Sequence, residues 1–132
     1  MSAALEQGLY TMLSGASPQT AAGTRVYPRV PQNPTFPLIR YQRVSTVREQ
    51  ALVSAVGVTE AGVQVDCMAT SYSAAKALAD EVRTILHDYD GAWGTLIARH
   101  VALDTENDIY EQDGDDVTHW VSQRYRIFTN MD

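Results

Sequence analysis

The chain has 132 residues, of which 45% are hydrophobic and 20% charged, and its formal net charge is -6. Such a chain reads as one domain over residues 1–132, with a core large enough to fold without a disulfide or metal staple. An acidic balance with scattered basic residues argues against a protein that grips nucleic acid, but not against one that lets DNA slide past, because like charge repels phosphates.

The lone Cys67 leaves no internal disulfide and suits assembly in a reducing cytoplasm. No run approaches the ~20 apolar residues of a membrane span. The N-terminus carries Glu6 early and shows no basic-then-apolar pattern, so a signal peptide is not expected.

Leu5, Leu9, Met12 and Leu13 share one helical stripe, with Ser2 as cap, and Gly15 and Pro18 close that helix. Pro28, Pro31, Pro34 and Pro37 then recur at a spacing of three. Polyproline II has three residues per turn, so the prolines could align as a docking ridge; the alternative is an extended strap packed by Val26, Tyr27, Val30 and Phe36. Residues 38–47 read as a strand with Ile39 and Tyr41 on one face. Residues 46–60 keep neither period, and are read as a strand end and mobile hairpin loop turned by Glu60, Ala61 and Gly62.

Residues 63–86, VQVDCMATSYSAAKALADEVRTIL, change period at their middle. Val63, Val65, Cys67 and Ala69 alternate with Gln64, Asp66, Met68 and Thr70 as a strand. Ala75, Leu78, Val82, Ile85 and Tyr89 follow helical spacing, with Ser71 as N-cap and Asp90-Gly91 as stop. Residues 95–103 form a third strand, with Leu96 and Ala98 on one face and Ile97, Val101 and Leu103 on the other. That pattern implies cover on both sides. Residues 117–129 form a fourth strand, in which Val121, Tyr125 and Ile127 alternate with Ser122, Arg124 and Arg126. The expected fold is α+β: an approximately four-stranded, mostly antiparallel sheet with an N-terminal and a central helix on one face.

No catalytic constellation is expected. Cys67 sits on an apolar strand face, where a buried thiol is inert, and His87, His100 and His119 fall on three different elements. No zinc spacing, phosphate-cradling glycine loop or G-x-S-x-G elbow occurs, and no cofactor is implied. The acidic stretch at 104–116, DTENDIYEQDGDD, fails the calcium-loop pattern, because its sixth and twelfth places hold Ile109 and Asp115. It reads as a solvated hairpin between the third and fourth strands, or as a negative surface facing DNA or a basic partner. Arg43, Arg48, Glu49 and Glu60 surround the first hairpin, and Arg124 and Arg126 share a face of the last strand. They form either a solvated face or a contact to a neighbouring subunit or partner, where arginine favours bidentate pairing.

The order of these pieces resembles the tail terminator, or tail-to-head joining (tail completion), family of long-tailed bacteriophages. The residues that carry the resemblance are Tyr27-Pro28, Pro31-Gln32, Pro37 with Tyr41-Gln42, Val63-Gln64-Val65, Tyr72 with Ala75 and Leu78, and Asp108-Ile109-Tyr110-Glu111. The resemblance implies a non-enzymatic virion protein at the tail-neck junction, assembled in the bacterial host cytoplasm. It implies a homo-oligomeric ring, usually a hexamer, that caps the tail tube, halts its growth and meets the head-completion or neck protein. DNA would pass through the bore. On that reading Asp104, Glu106, Asp108, Glu111, Asp113, Asp115 and Asp116 are candidates to line the bore. The competing readings are a small ligand-binding or enzymatic α+β domain and an adaptor using the proline ridge.

Overall fold

In the computed structural model, residues 4–15, 20–50, 55–114 and 116–130 are described; the side chains at 46–50, 55–59, 113, 116 and 130 lie outside the description. The expected stripe forms helix α1 (Ala4–Ser14), which buries Leu5, Leu9 and Leu13. Ser2 and Pro18 lie outside the described residues. The chain then runs through strand β1 (Val26–Tyr27), which pairs in parallel with the start of β2 (Leu38–Gln50). The proline segment is therefore a strap. Asn33, at φ 58°, interrupts any continuous polyproline II ridge, which needs a φ near −75°.

Among the described residues the sheet has six strands rather than about four, in the order β1-β2-β3-β6-β5-β4. Strand β3 is Ala55–Ala69, β4 Gly91–Trp93, β5 Leu96–Asp113 and β6 Asp116–Asn130. β1 and β4 escape a periodicity reading because two or three residues cannot show one. All pairings except that of β1 with β2 are antiparallel.

The expected mobile loop at 46–60 is largely strand: β2 and β3 pair from Leu38↔Met68 to Gln50↔Ala55. Glu60, Ala61 and Gly62 make no turn. Gly62 is there because a Cβ would meet Ser45 Oγ at 2.5 Å beside the bulge between Arg43 and Ser45. The acidic hairpin is likewise mostly ladder, with β5 and β6 paired down to Asp113↔Asp116.

Helix α2 (Tyr72–Leu86) begins as its sequence dictates. The Ser71 hydroxyl accepts the Ala74 amide at 3.2 Å, and Ala75, Leu78, Ala79, Val82 and Leu86 are buried. It stops at His87, before the expected Asp90-Gly91, and Asp88 takes the left-handed turn at φ 62°. Tyr89 thus follows the helix rather than extending its stripe.

Both helices pack on one side of the sheet, over Ile39, Tyr41, Val63, Val65, Cys67, Val101, Val121, Tyr125 and Ile127. The expected split of β5 into two apolar faces is not found among the described residues. A bulge between Ala98 and His100 flips the strand's phase, so that Leu96, Ala98 and Val101 all face the helices while Ile97 is 58% exposed.

Candidate functional site

The helix-free side of the sheet gathers charged residues from three adjacent strands. Arg40 on β2 faces its register partner Asp66 on β3, with Nε 2.9 Å from Oδ2. Gln64 Nε2 also donates to Asp66, at 3.2 Å to Oδ1. On β6, Arg126 Nη2 pairs with Glu60 at 2.8 Å and Arg124 Nη2 reaches Gln64 Oε1 at 3.4 Å. The Glu60 hydrogen bond raises the Arg126 pKa, and the guanidinium lies 5.4 Å from the Phe128 ring centroid.

Three of the predicted contact residues, Glu60, Arg124 and Arg126, therefore converge on this face. Arg43 does not. It pairs with Val63, whose side is the helix side, and its Nη2 binds Glu6 of α1 at 2.7 Å. The side chains of Arg48 and Glu49 lie outside the described residues.

The acidic strand is split between the two faces by a second bulge, between Leu103 and Thr105. Past it, Glu106 and Asp108 turn to the helix side. Lys76 of α2 lies 3.2 Å from Asp108 and 3.5 Å from Glu106, and the Tyr72 hydroxyl donates to Asp108 at 2.9 Å. These bonds hold the Asp108 carboxyl below its usual range, Tyr72's bond having the larger effect, and the bonds to Asp108 raise the Tyr72 and Lys76 pKa values. His119 stacks on Tyr110 and meets the edge of Tyr72, at centroid distances of 5.8 and 6.2 Å. Asp104 and Glu111 are exposed; the side chains of Asp113 and Asp116, and all of Asp115, lie outside the described residues.

A buried polar chain joins this cluster to the core. Gln123 Nε2 donates to Glu106 at 2.9 Å and to the Ala79 carbonyl at 3.0 Å, and Gln123 Oε1 accepts from the Tyr125 hydroxyl at 2.9 Å. Sequence reasoning missed Gln123 and Tyr72. Gln123 had a signal: it occupies the apolar phase of its strand, between Val121 and Tyr125.

Comparison with known proteins gives these surfaces a setting. Residues 7–130 match the family described as tail completion protein gp17. The chain belongs to this tail completion family. No curated protein matches it. Among solved structures, a chain of the virion of a native gene transfer agent particle shares the fold, with a TM-score of 0.62 and 18% identity over 98% of this chain and 93% of that one.

In this tail completion protein, Cys67 is fully buried, and burial pushes its thiol well above the ordinary range, with Asp66 adding to the effect. The histidines are engaged elsewhere: His87 Nδ1 accepts the Leu103 amide at 3.1 Å, and His100 stacks on Phe128. Among the described residues, no cluster of His, Cys, Asp and Glu could hold a metal ion.

Proposed function

We propose that this chain forms a hexameric ring on the last ring of a phage-type tail tube. The ring stops tube elongation and joins the tail to the neck of the filled head. Family membership over residues 7–130 carries this reading, and the chain-long fold likeness to a chain of a gene transfer agent virion supports it. Its partners are further copies of itself, the tail tube protein and a head-completion or neck protein; the role is structural, without catalysis.

DNA passes through the bore without being held. Among the described acidic side chains of this stretch, Asp104 and Glu111 are best placed to serve this, because Glu106 and Asp108 are engaged by Lys76, Tyr72 and Gln123 within the chain. The exposed Arg124 and Arg126, with the half-buried Glu60 beside them, are offered to a neighbouring subunit, tube or neck.

Electron microscopy of the protein mixed with growing tail tubes tests the reading. A cap at one tube end with arrested growth is expected. Tubes that elongate unchanged, with no added density at either end, would refute it.

A further inference from the structure

We infer that copies of this chain join edge to edge, the outer edge of β5 at residues 104–113 pairing antiparallel with the outer edge of β2 at residues 45–50 of the next copy. The inference deepens the ring reading above and rests on it for the closed form of the assembly.

The sheet ends unevenly on both sides. β4 pairs with β5 only as far as Ala98, and the turn after α2 covers the next stretch, where the Asp88 amide donates to the Val101 carbonyl at 2.8 Å. From Asp104 onward no strand lies outside β5 among the described residues. On the opposite side, β1 pairs only with Ile39 and Arg40 of β2. A strand edge presents a row of backbone donors and acceptors that readily template another strand. Residues 104–113 carry neither proline nor lysine, two of the usual blocks to such pairing.

Three observations choose a second copy in a head-to-tail arrangement. The strands β2, β3, β6 and β5 alternate in direction, so a further β2 beside β5 continues the antiparallel order. Asp104, Glu106, Asp108, Glu111 and Asp113 would face their own copies in a two-fold β5–β5 pair, and like charges repel. Residues 45–50 of β2 instead carry one Arg48 and one Glu49, so this edge meets β5 without that like-charge conflict.

The third observation is stagger. Ser45 lies level with Gly62, Arg126 and Ala102 across the sheet. β1 does not extend past Arg40, and β2 runs on beyond that level one way, whereas the outer edge of β5 runs from Asp104 the other way. Without a slide only residues 41–44 of β2 lie level with 103–106 of β5; residues 45–50 come beside 104–113 only if the next copy slides along the strand direction. A fixed slide per copy is the shear that a closed, tilted sheet requires, and a heterologous contact that closes makes a ring.

Disulfide trapping in the full chain tests this. Cysteines replace Thr105, Asn107, Ile109 or Glu111 on β5, each combined in turn with Ser45→Cys or Val47→Cys on β2. Cys67 is buried and stays silent. Oxidation, with and without tail tubes, is expected to give an intermolecular ladder in one register and no dimers from chains altered on β5 alone. Absence of any β2–β5 ladder under both conditions, or dominant β5–β5 dimers, overturns the inference. A chain that caps tubes without crosslinking refutes the edge contact but keeps the function; one that crosslinks without capping does the reverse.

Discussion

Arg40 and Asp66 are register partners across β2 and β3, and the Asp66 side chain is 1% exposed while that of Arg40 is 31% exposed. The pair stands where the strap delivers the chain into the sheet, next to Leu38 and Met68, both buried. Removing the guanidinium leaves a buried carboxylate with Gln64 as its remaining described partner. Arg40→Ala should therefore destabilise the fold by about 1–3 kcal/mol, the usual cost of stranding a buried polar partner. The lower half of that range is expected, because water reaches Arg40 and screens the pair. Urea unfolding of Arg40→Ala, Asp66→Asn and the double variant measures it. Additive losses in the double variant would show that the pair is not coupled.

Gly8 in α1 inverts the usual rule for glycine in helices. Replacing a helical glycine with alanine ordinarily stabilises by about 0.5–1 kcal/mol. Here a Cβ would lie 2.3 Å from Trp93 Cδ1 and 2.9 Å from the Trp93 backbone carbon. Trp93 cannot easily yield, since it is fully buried and its Nε1 donates to the Leu5 carbonyl at 2.9 Å. Gly8→Ala should lower stability by about 1–3 kcal/mol, as overpacking does. A raised melting temperature for this variant would show that α1 is not seated against β4 as described.

These two contacts also mark where sequence reasoning stopped. The stripe of α2 and its Ser71 cap were legible because both are set by residues within one or two turns. The alternation in β3 and β6 was legible because one face is buried and the other is not. The phase of β5 was hidden: bulges at two places re-aim Val101, Glu106 and Asp108, and no local residue pattern announces them. Gly62 looked like a turn residue because its reason, Ser45 on the neighbouring strand, is distant in sequence. Of the candidate contact residues, Glu60, Arg124 and Arg126 fell together on one face, while Arg43 keeps the phase of Ile39 and Tyr41 and so meets Glu6 of α1, a partner distant in sequence. Tyr72 and Lys76 became recognisable as partners of Asp108 only once β5 was set in register with β6.

The Tyr72–Asp108–Lys76 cluster predicts a pH window. The folded Asp108 pKa lies below its ordinary 3.8, so the contribution of Asp108 is present above that value and is lost as pH falls through the lower folded one. The folded Lys76 pKa lies above 10.5, so the contribution of Lys76 is present below that value and is lost as pH rises through the higher folded one. Asp108→Asn should lower the melting temperature slightly across the neutral range, and the difference from the parent chain should vanish below the folded Asp108 pKa. Carboxyl chemical shifts followed by NMR supply the direct check. An Asp108 midpoint at or above 3.8 contradicts the arrangement.

Asp104 and Glu111 provide the sharpest test of the DNA passage proposed above. Both are exposed, and both lie on the strand whose Glu106 and Asp108 are tied to α2. Asp104→Lys with Glu111→Lys leaves the Lys76 and Tyr72 bonds in place, so folding and tail assembly should proceed. Each lysine facing the bore would neutralise a phosphate and release counterions, holding DNA with a salt dependence of about one unit of log–log slope per contact. Particles carrying the double variant should assemble normally but eject DNA slowly, and raised salt should relieve the block. Ejection followed by DNA dye fluorescence at several salt concentrations makes the measurement. Ejection at the parent rate at low salt would remove these two residues from the bore.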